Sequence, residues 1–419
     1  MANPFVRSSW SKQSIYMLCF GMIVFFFSFS DAIMSYFSPV EIENHFQDAF
    51  LMGLVLSSSS AVGLIADLLI SKFFPHYDYR FFVKWLIILA TLFPLTFLML
   101  PAMTLTYFAA MAIWGVYYEF SAFSQFNFIH QTVDTHQHAK AWSVVSAVHA
   151  FAFMVGPVAA GIFLSHSRGL MLGAVIASLM VAGVFFLILQ FISKKHERPT
   201  EILAGRTFKV ELRMWKLLLK RIWPVYIFFL ALVILDTSFW TVGPLISEEI
   251  VEHSWLGALL LPAYTLPSLL TPFIIQKISP KVSKKRIAFV SAIIGSAIMG
   301  GGAFILGEGN PLLTIVVLVG ALFISIDYPE IEAVFEDYIS RIDGYENDLV
   351  GLRSSASSIA YIIGPILAGF TADILGYGRT MGLFAMILMV VSIIVLMVTP
   401  RKIRMDLKGM EEIAQSQTT

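Results

Sequence analysis

An all-α membrane protein with twelve transmembrane helices in two pseudo-symmetric six-helix bundles is the fold class the sequence predicts. Three observations carry this expectation: a composition short of charge, apolar stretches that recur at bilayer length, and a repeat between the two halves of the chain. Only 13% of the 419 residues are charged, while 58% are hydrophobic. A soluble domain carries roughly 25% charged residues, so this chain could not cover a soluble surface of its size. At roughly 20 residues per span, twelve helices take up about 240 residues, close to the apolar total. Such a composition excludes a soluble enzyme, a nucleic-acid-binding protein and a disulfide-built secreted domain. The single cysteine, Cys19, lies inside the first apolar stretch and has no partner for an internal disulfide.

Runs long enough to span fall near 15–37, 49–72, 81–103, 105–129, 141–165, 169–192, 222–247, 255–278, 286–307, 311–337, 350–375 and 378–399. The first is too long for the apolar core of a signal peptide and lacks a small-residue cleavage site after it. It is therefore expected to stay as helix 1. Connections are short except for residues 193–221. That interval divides the chain into an N-terminal bundle over 1–192, a cytoplasmic linker over 193–221, and a C-terminal bundle over 222–419 that ends in a short cytoplasmic tail.

Basic residues set the orientation, because they accumulate on the cytoplasmic side of short loops. The N-terminus, the loops after helices 2, 4, 6, 8 and 10, and the C-terminus hold 25 of the 28 lysines and arginines. The opposite loops hold Arg168 and Arg379, and Arg353 falls inside helix 11. Glu41, Glu43, Asp48, Glu248, Glu249, Glu252 and Glu308 all lie on the basic-poor side. Both termini are thus expected in the cytoplasm, with the chain a multi-pass protein of the cell's inner (plasma) membrane.

The halves repeat at two offsets. At 205 residues, Asp31 matches Asp236, Pro39 matches Pro244, Glu43 matches Glu248 and Lys72 matches Lys277. At 208 residues, Ser146 matches Ser354, Gly156-Pro157 matches Gly364-Pro365, and Ala160-Gly161 matches Ala368-Gly369. Leucines align by chance between any two apolar helices; the Asp, Pro and Gly-Pro matches do not. Duplication of a six-helix unit is the pattern of many transporters.

Three local segments sharpen this reading. Gly63-Leu64-Ile65-Ala66-Asp67 at the end of helix 2 resembles the Gly-x-Leu-Ala-Asp-Arg-x-Gly-Arg segment of the major facilitator superfamily. Here Leu68 and Ile70 replace the first Arg and the second Gly. Gly156-Pro157-Val158-Ala159-Ala160-Gly161 in helix 5 resembles the Gly-Pro-x-x-Gly-Gly motif of that family's drug–proton antiporter branch. Asp31 followed by Pro39 is similar to the Asp-to-Pro stretch in helix 1 of many exporters. Helix 4 departs from the branch, offering Glu119 where an Arg is common. Read without any family, Gly156, Pro157, Gly161, Gly364, Pro365 and Gly369 describe kinked helices packed closely through small residues. Gly63 and Asp67 are expected to act in gating. Asp67 lies about one turn from the cytoplasmic end of helix 2, where a cation or a neighbouring helix terminus can latch it.

Acids inside the membrane are the candidate chemistry, because each costs at least ~2.5–3.5 kcal/mol to place there. Asp31 lies in helix 1, Glu119 in helix 4, Asp236 in helix 7, and Asp327 with Glu330 in helix 10. Glu119 and Asp327 are equivalent at the 208 offset. The resemblance implies that helices 1, 4, 7 and 10 line the central cavity. The only deep cation candidates are Arg353 and His149, so pairing cannot neutralise all of these acids. A carboxyl group that exchanges a proton between two aqueous sides is what proton coupling requires. Trp240, four residues after Asp236, shares its helical face and is placed to stack on a cation held there. Tyr117, Tyr118 and Phe126 flank Glu119. Glu332 and Glu336 are expected to meet solvent, Arg341 or Arg353, and His149 to be an ordinary hydrogen-bonded histidine. His130, His136 and His138 lack cysteine partners and are expected in a solvated loop without metal.

No phosphate-cradling Gly-x-x-x-x-Gly-Lys-Ser/Thr motif occurs, and no catalytic constellation sits at membrane depth. The chain is therefore expected to be neither an enzyme nor ATP-driven, and to need no cofactor. It reads as a monomeric secondary active transporter working by alternating access, with a small-molecule substrate, protons and the lipid bilayer as partners and no nucleic acid. Two directions stay open. One is proton-coupled export of organic cations or amphipathic drug-like compounds. The other is proton-coupled symport that imports a neutral nutrient such as a sugar or amino acid.

Overall fold

The structure, a computed structural model, describes residues 4–74, 77–134, 137–193, 208–275, 277, 283–342, 345–400 and 409–410. Among these the chain forms twelve α-helices: α1 (Pro4–Phe46), α2 (Ala49–Phe73), α3 (Tyr79–Met99), α4 (Thr104–Thr132), α5 (His138–His166), α6 (Arg168–Ile192), α7 (Phe208–Val251), α8 (Leu260–Ile275), α9 (Lys284–Leu306), α10 (Leu312–Ile339), α11 (Glu346–Leu375) and α12 (Tyr377–Val398). A 3-10 turn, Trp255–Leu259, leads into α8. Eleven of the helices are long and apolar enough to cross a membrane. The twelfth, α4, has the length but carries Glu119, Ser121, Ser124, Gln125 and Asn127 in its second half, which dilutes its apolarity.

The chain divides into two compact units, 1–200 and 201–419. In the first, α1 packs on α5 and α6, α4 packs on α2 and α3, and α3 also meets α6. In the second, α7 packs on α11 and α12, α10 on α8 and α9, and α9 also meets α12. The second scheme is the first moved on by six helices, so the sequence repeat is also a repeat of packing.

Two helices begin before their apolar runs. α1 starts at Pro4 and α7 at Phe208. Within the interval 193–221, residues 208–221 therefore belong to α7 rather than to a connecting coil. Met214, Leu218 and Ile222 are buried there at a spacing of four, a single face of a helix. Trp215 lies against Gly351 of α11, where an added Cβ would meet the indole at 3.1 Å. Residues 194–207 of the interval, and 401–408 and 411–419 of the tail, lie outside the described residues.

Aromatic side chains fill both units. Phe20 of α1 and Phe128 of α4 stack at 3.8 Å, joined by Tyr79 of α3 edge-on to Phe128 at 5.2 Å. In the second unit Phe228 meets Phe289 at 4.8 Å and Phe229 meets Phe335 at 5.5 Å. Where helices cross most closely, glycine replaces a side chain. A Cβ on Gly115 of α4 would overlap the Ser59 carbonyl of α2, and one on Gly295 of α9 would lie 2.7 Å from the Gly320 carbonyl of α10.

The helix ends are capped by side chains. Asp48 accepts from Leu51 N at 2.8 Å and Ser167 from Leu170 N at 3.1 Å, satisfying first-turn donors that lack an intrahelical partner. α12 is capped from a distance: Glu308 accepts from Gly378 N at 2.8 Å and Arg379 N at 3.2 Å. Gly376, between α11 and α12, has φ 84°, a conformation that costs other residues strain.

Candidate membrane carboxylate sites

In the N-terminal unit Asp31 is buried, with 3% of its surface exposed. Oδ1 accepts from Trp114 Nε1 at 3.0 Å and from the Tyr117 hydroxyl at 2.7 Å; Oδ2 accepts from the Tyr118 hydroxyl at 3.1 Å. The three donors occupy positions i, i+3 and i+4 of α4, and so share one helical face. All are neutral. The Asp31 carboxyl is thus held by dipoles, with no ion pair among the described residues.

Glu119 is half-buried on α4. Its Oε1 lies 3.3 Å from where a Cβ on Gly63 would stand, so the bare backbone of α2 makes room for it. Asp67, one turn further along α2, lies within electrostatic reach of Glu119. Among the described residues neither acid has an ion-pair partner. The nearby cations are engaged elsewhere: Arg80 contacts Asp78 at 3.7 Å and Ser193 Oγ at 2.8 Å, and Lys72 lies over the Phe73 ring at 5.7 Å. The expected latch of Asp67 by a cation has no counterpart among the ion pairs of the described residues.

In the C-terminal unit Asp236 is half-buried on α7. Oδ1 accepts from the Tyr264 hydroxyl of α8 at 2.9 Å, and the indole of Trp240 also hydrogen-bonds this carboxyl. Tyr264 is steadied by stacking on Phe239 at 3.9 Å. Tyr328 of α10 and Tyr361 of α11 lie within electrostatic reach of Asp236. Asp31 and Asp236 occupy equivalent places in the repeat yet draw their donors from different helices: α4 in one unit, α7 and α8 in the other.

Asp327 of α10 is fully buried. Ser291 of α9 donates a short hydrogen bond to Oδ1, while Oδ2 is buried without a hydrogen-bond partner. Glu330 is buried and lies in electrostatic reach of Lys284, whose ammonium sits 3.1 Å from Asp337. Glu332 pairs with Arg353 across α10 and α11, and the guanidinium lies over Phe229 at 5.2 Å. Arg353 is thereby committed to Glu332 and leaves the deeper acids unpaired. His149 accepts or donates one ordinary hydrogen bond, Nδ1 to Ser28 Oγ at 3.0 Å.

The Gly-Pro motifs lie beside the acids. A Cβ on Gly156 of α5 would stand 2.5 Å from the Ala32 Cβ of α1, and one on Gly364 of α11 would overlap the Thr237 hydroxyl of α7. Gly161 has open space around it; Gly369 is buried. Pro157 and Pro365 continue α5 and α11 without ending them. His130 and His138 have ring centres 6.2 Å apart, His136 lies outside the described residues, and among those described no cluster of metal-binding side chains occurs.

Two donors escaped the sequence. Tyr264 reaches Asp236 only through the packing of α8, and Ser291 reaches Asp327 only through that of α9. Trp114 was legible in part, since it stands three residues before Tyr117 on the same face of α4.

Comparison with known proteins agrees with this architecture. The family model described as the Major Facilitator Superfamily matches residues 20–339. A crystal structure of the nucleoside transporter NupG superposes with a TM-score of 0.68 at 12% identity, covering 92% of this chain and 100% of that one. A peptide transporter, POT, in complex with sulfate gives 0.70 at 11% identity, covering 92% and 94%. A POT family transporter in complex with a thioalcohol-conjugated peptide gives 0.72 at 12% identity, covering 92% and 96%. A search among curated proteins finds no match to the chain. The fold is that of a secondary transporter, and the protein is a multi-span membrane transporter and not an enzyme. On the match across most of its length, the chain belongs to the major facilitator superfamily.

Proposed function

We propose that the protein exports organic cations or amphipathic drug-like compounds in exchange for protons. It works by alternating access as a monomer in the plasma (inner) membrane, with both termini in the cytoplasm. One observation carries this reading. Asp31, Asp236 and Asp327 sit at membrane depth with neutral hydrogen-bond donors and no ion pair among the described residues. A proton and an organic cation discharge the same negative charge, so at such a carboxyl one can displace the other. Mutual displacement is the elementary event of antiport. The helix 5 motif, similar to that of drug–proton antiporters, agrees with this direction, and the concentration of basic residues on one face supports the orientation.

The test uses the purified protein in sealed vesicles, with the membrane potential clamped and the interior made acid. Ethidium supplied outside is expected to accumulate, and a protonophore to abolish the accumulation. Loss of preloaded solute along with protons would instead identify a symporter, the direction suited to import of a neutral nutrient. Ethidium movement that ignores the proton gradient would overturn coupling altogether.

A further inference from the structure

We infer that a cleft between α1 and α5 of the N-terminal unit binds a single-chain amphiphile with an anionic head, its hydrocarbon chain along the cleft and its head on Lys140. The cleft has a volume of about 740 Å³, within the range of roughly 300–1,000 Å³ usual for small-molecule sites. Leu18, Gly21 and Phe25 of α1 face it, as do Val144, Ala147 and Phe151 of α5. Each set falls at i, i+3 and i+7, one face of a helix, so the walls are two apolar stripes. Gly21 widens the α1 wall, because a Cβ placed there meets nothing within 4 Å. Leu18 is 67% exposed and Phe151 47% exposed, so the described residues leave this apolar surface open.

The cleft is polarised along its length. α1 and α5 run parallel, since Phe25 stacks on Phe151 at 6.0 Å and, further along both helices, Gly156 lies on Ala32. Ser14 therefore stands level with Gln137 and Lys140 at the start of α5. These three are the polar residues of the lining. Phe25 and Phe151 close the other end, about 16 Å from Ser14 at the rise of an α-helix. Lys140 is exposed and in no ion pair among the described residues, and no carboxyl group belongs to the lining. A cation is repelled at this entrance and finds no counter-charge inside. A small inorganic anion meets Lys140 but leaves the apolar walls uncovered. An anionic amphiphile satisfies both parts: its head draws on a basic side chain near the membrane surface, and its chain covers the stripes, to which the flexible Met17 and Met22 adapt. Two facing stripes form one channel, which suits one chain. Asp31, Asp236 and Asp327 take no part, so the site lies apart from the exporter reading and its ligand has the opposite charge.

Binding is measured without any gradient, on purified full-length protein held in a non-ionic amphipol so that no detergent competes. The probes are labelled oleate, ionised at about pH 8, and labelled oleyl alcohol, which has the same chain and no charge. Oleate is expected to bind about tenfold more tightly than the alcohol, the scale of a hydrogen bond to a charged group. Lys140→Gln should reduce that preference to about twofold, while Lys140→Arg keeps it. Lys72→Gln, at a cation of α2 outside the cleft, should leave it unchanged. Gly21→Leu, which fills the open space, should weaken both probes by about tenfold. Equal affinity for oleate and oleyl alcohol overturns the anionic head. An unchanged preference in Lys140→Gln overturns Lys140 as its partner, and unchanged binding in Gly21→Leu overturns the cleft. So does a parent protein that unfolds normally on heating yet binds no oleate. A two-chain phosphatidate that copurifies with the parent and is lost in Gly21→Leu overturns the single-chain occupant.

Discussion

Gly364 of α11 lies directly on Thr237 of α7, the residue that follows Asp236. Its repeat partner Gly156 lies on Ala32, the residue that follows Asp31. Each Gly-Pro motif therefore presses a bare helix backbone against the turn that carries an acid. Ala32 and Thr237 are themselves equivalent at the 205 offset, so both members of the contact were duplicated. The small residues of α5 and α11 thereby set how α1 and α7 present their carboxyl groups.

Adding a methyl group at these contacts should be costly. Gly364→Ala and Gly156→Ala are expected to destabilise by about 1–3 kcal/mol, the usual penalty of overpacking. Thr237→Gly should recover most of the Gly364→Ala loss, because it removes the atoms that the new Cβ meets. Gly161→Ala, in open space, should stay within about 0.5 kcal/mol of the parent. Thermal unfolding in detergent reads all four, and an unperturbed Gly364→Ala variant would show that the contact is slack.

The donors around Asp31 should not be equal. Tyr117→Phe removes a buried 2.7 Å hydrogen bond and is expected to cost about 1–3 kcal/mol. Tyr118 lies at the edge of the site, 44% exposed, and its bond is longer, at 3.1 Å, so Tyr118→Phe should cost under about 1 kcal/mol. The same unfolding measurement ranks them; reversed order would mean that Tyr118 is the true anchor.

Removing the proton-accepting group separates coupling from movement. Asp31→Asn and Asp236→Asn are expected to abolish proton-driven accumulation in vesicles, because an amide takes up no proton at neutral pH. Exchange of labelled for unlabelled solute at equal pH should persist in Asp31→Asn, whose amide keeps an acceptor for the α4 donors. If both variants still move solute uphill, the helix 1 and helix 7 pair is not the coupling site, and Asp327 becomes the candidate.

The α11–α12 junction depends on one side chain and one backbone angle. Glu308→Ala strips the acceptor from Gly378 N and Arg379 N and should cost about 0.5–2 kcal/mol, as lost helix caps do. Gly376→Ala places a Cβ 2.7 Å from Glu308 Oε1 at φ 84° and should cost about 1–3 kcal/mol in strain alone. Glu308→Gln, which keeps an acceptor oxygen, should lie close to the parent. Equal unfolding temperatures for the Ala and Gln variants would count against the cap.

Helix count was legible because each span had to bury its own backbone polar groups in lipid, and only a long apolar helix does that. The starts of α1 and α7 were not. Residues 208–221 are too polar to read as a span, and they are helical because Met214, Leu218 and Ile222 find a face to pack on. The membrane acids were legible for the opposite reason, as charge in an apolar setting stands out. Two of their partners were not: Tyr264 and Ser291 are ordinary residues of ordinary helices until packing aims them at a carboxyl group.

By itself the sequence determined twelve helices, the six-helix repeat and the few acids that membrane burial makes expensive. Each of these follows from local composition or from the matching of residues along the chain. Tertiary structure alone decided that Asp31 is closed in by one face of α4, that Asp236 takes a hydroxyl donor from Tyr264 of α8, and that Arg353 is spent on Glu332. Those are choices among partners distant in sequence. In an apolar chain many helix pairings bury similar surface, and only the close packing of particular side chains selects one.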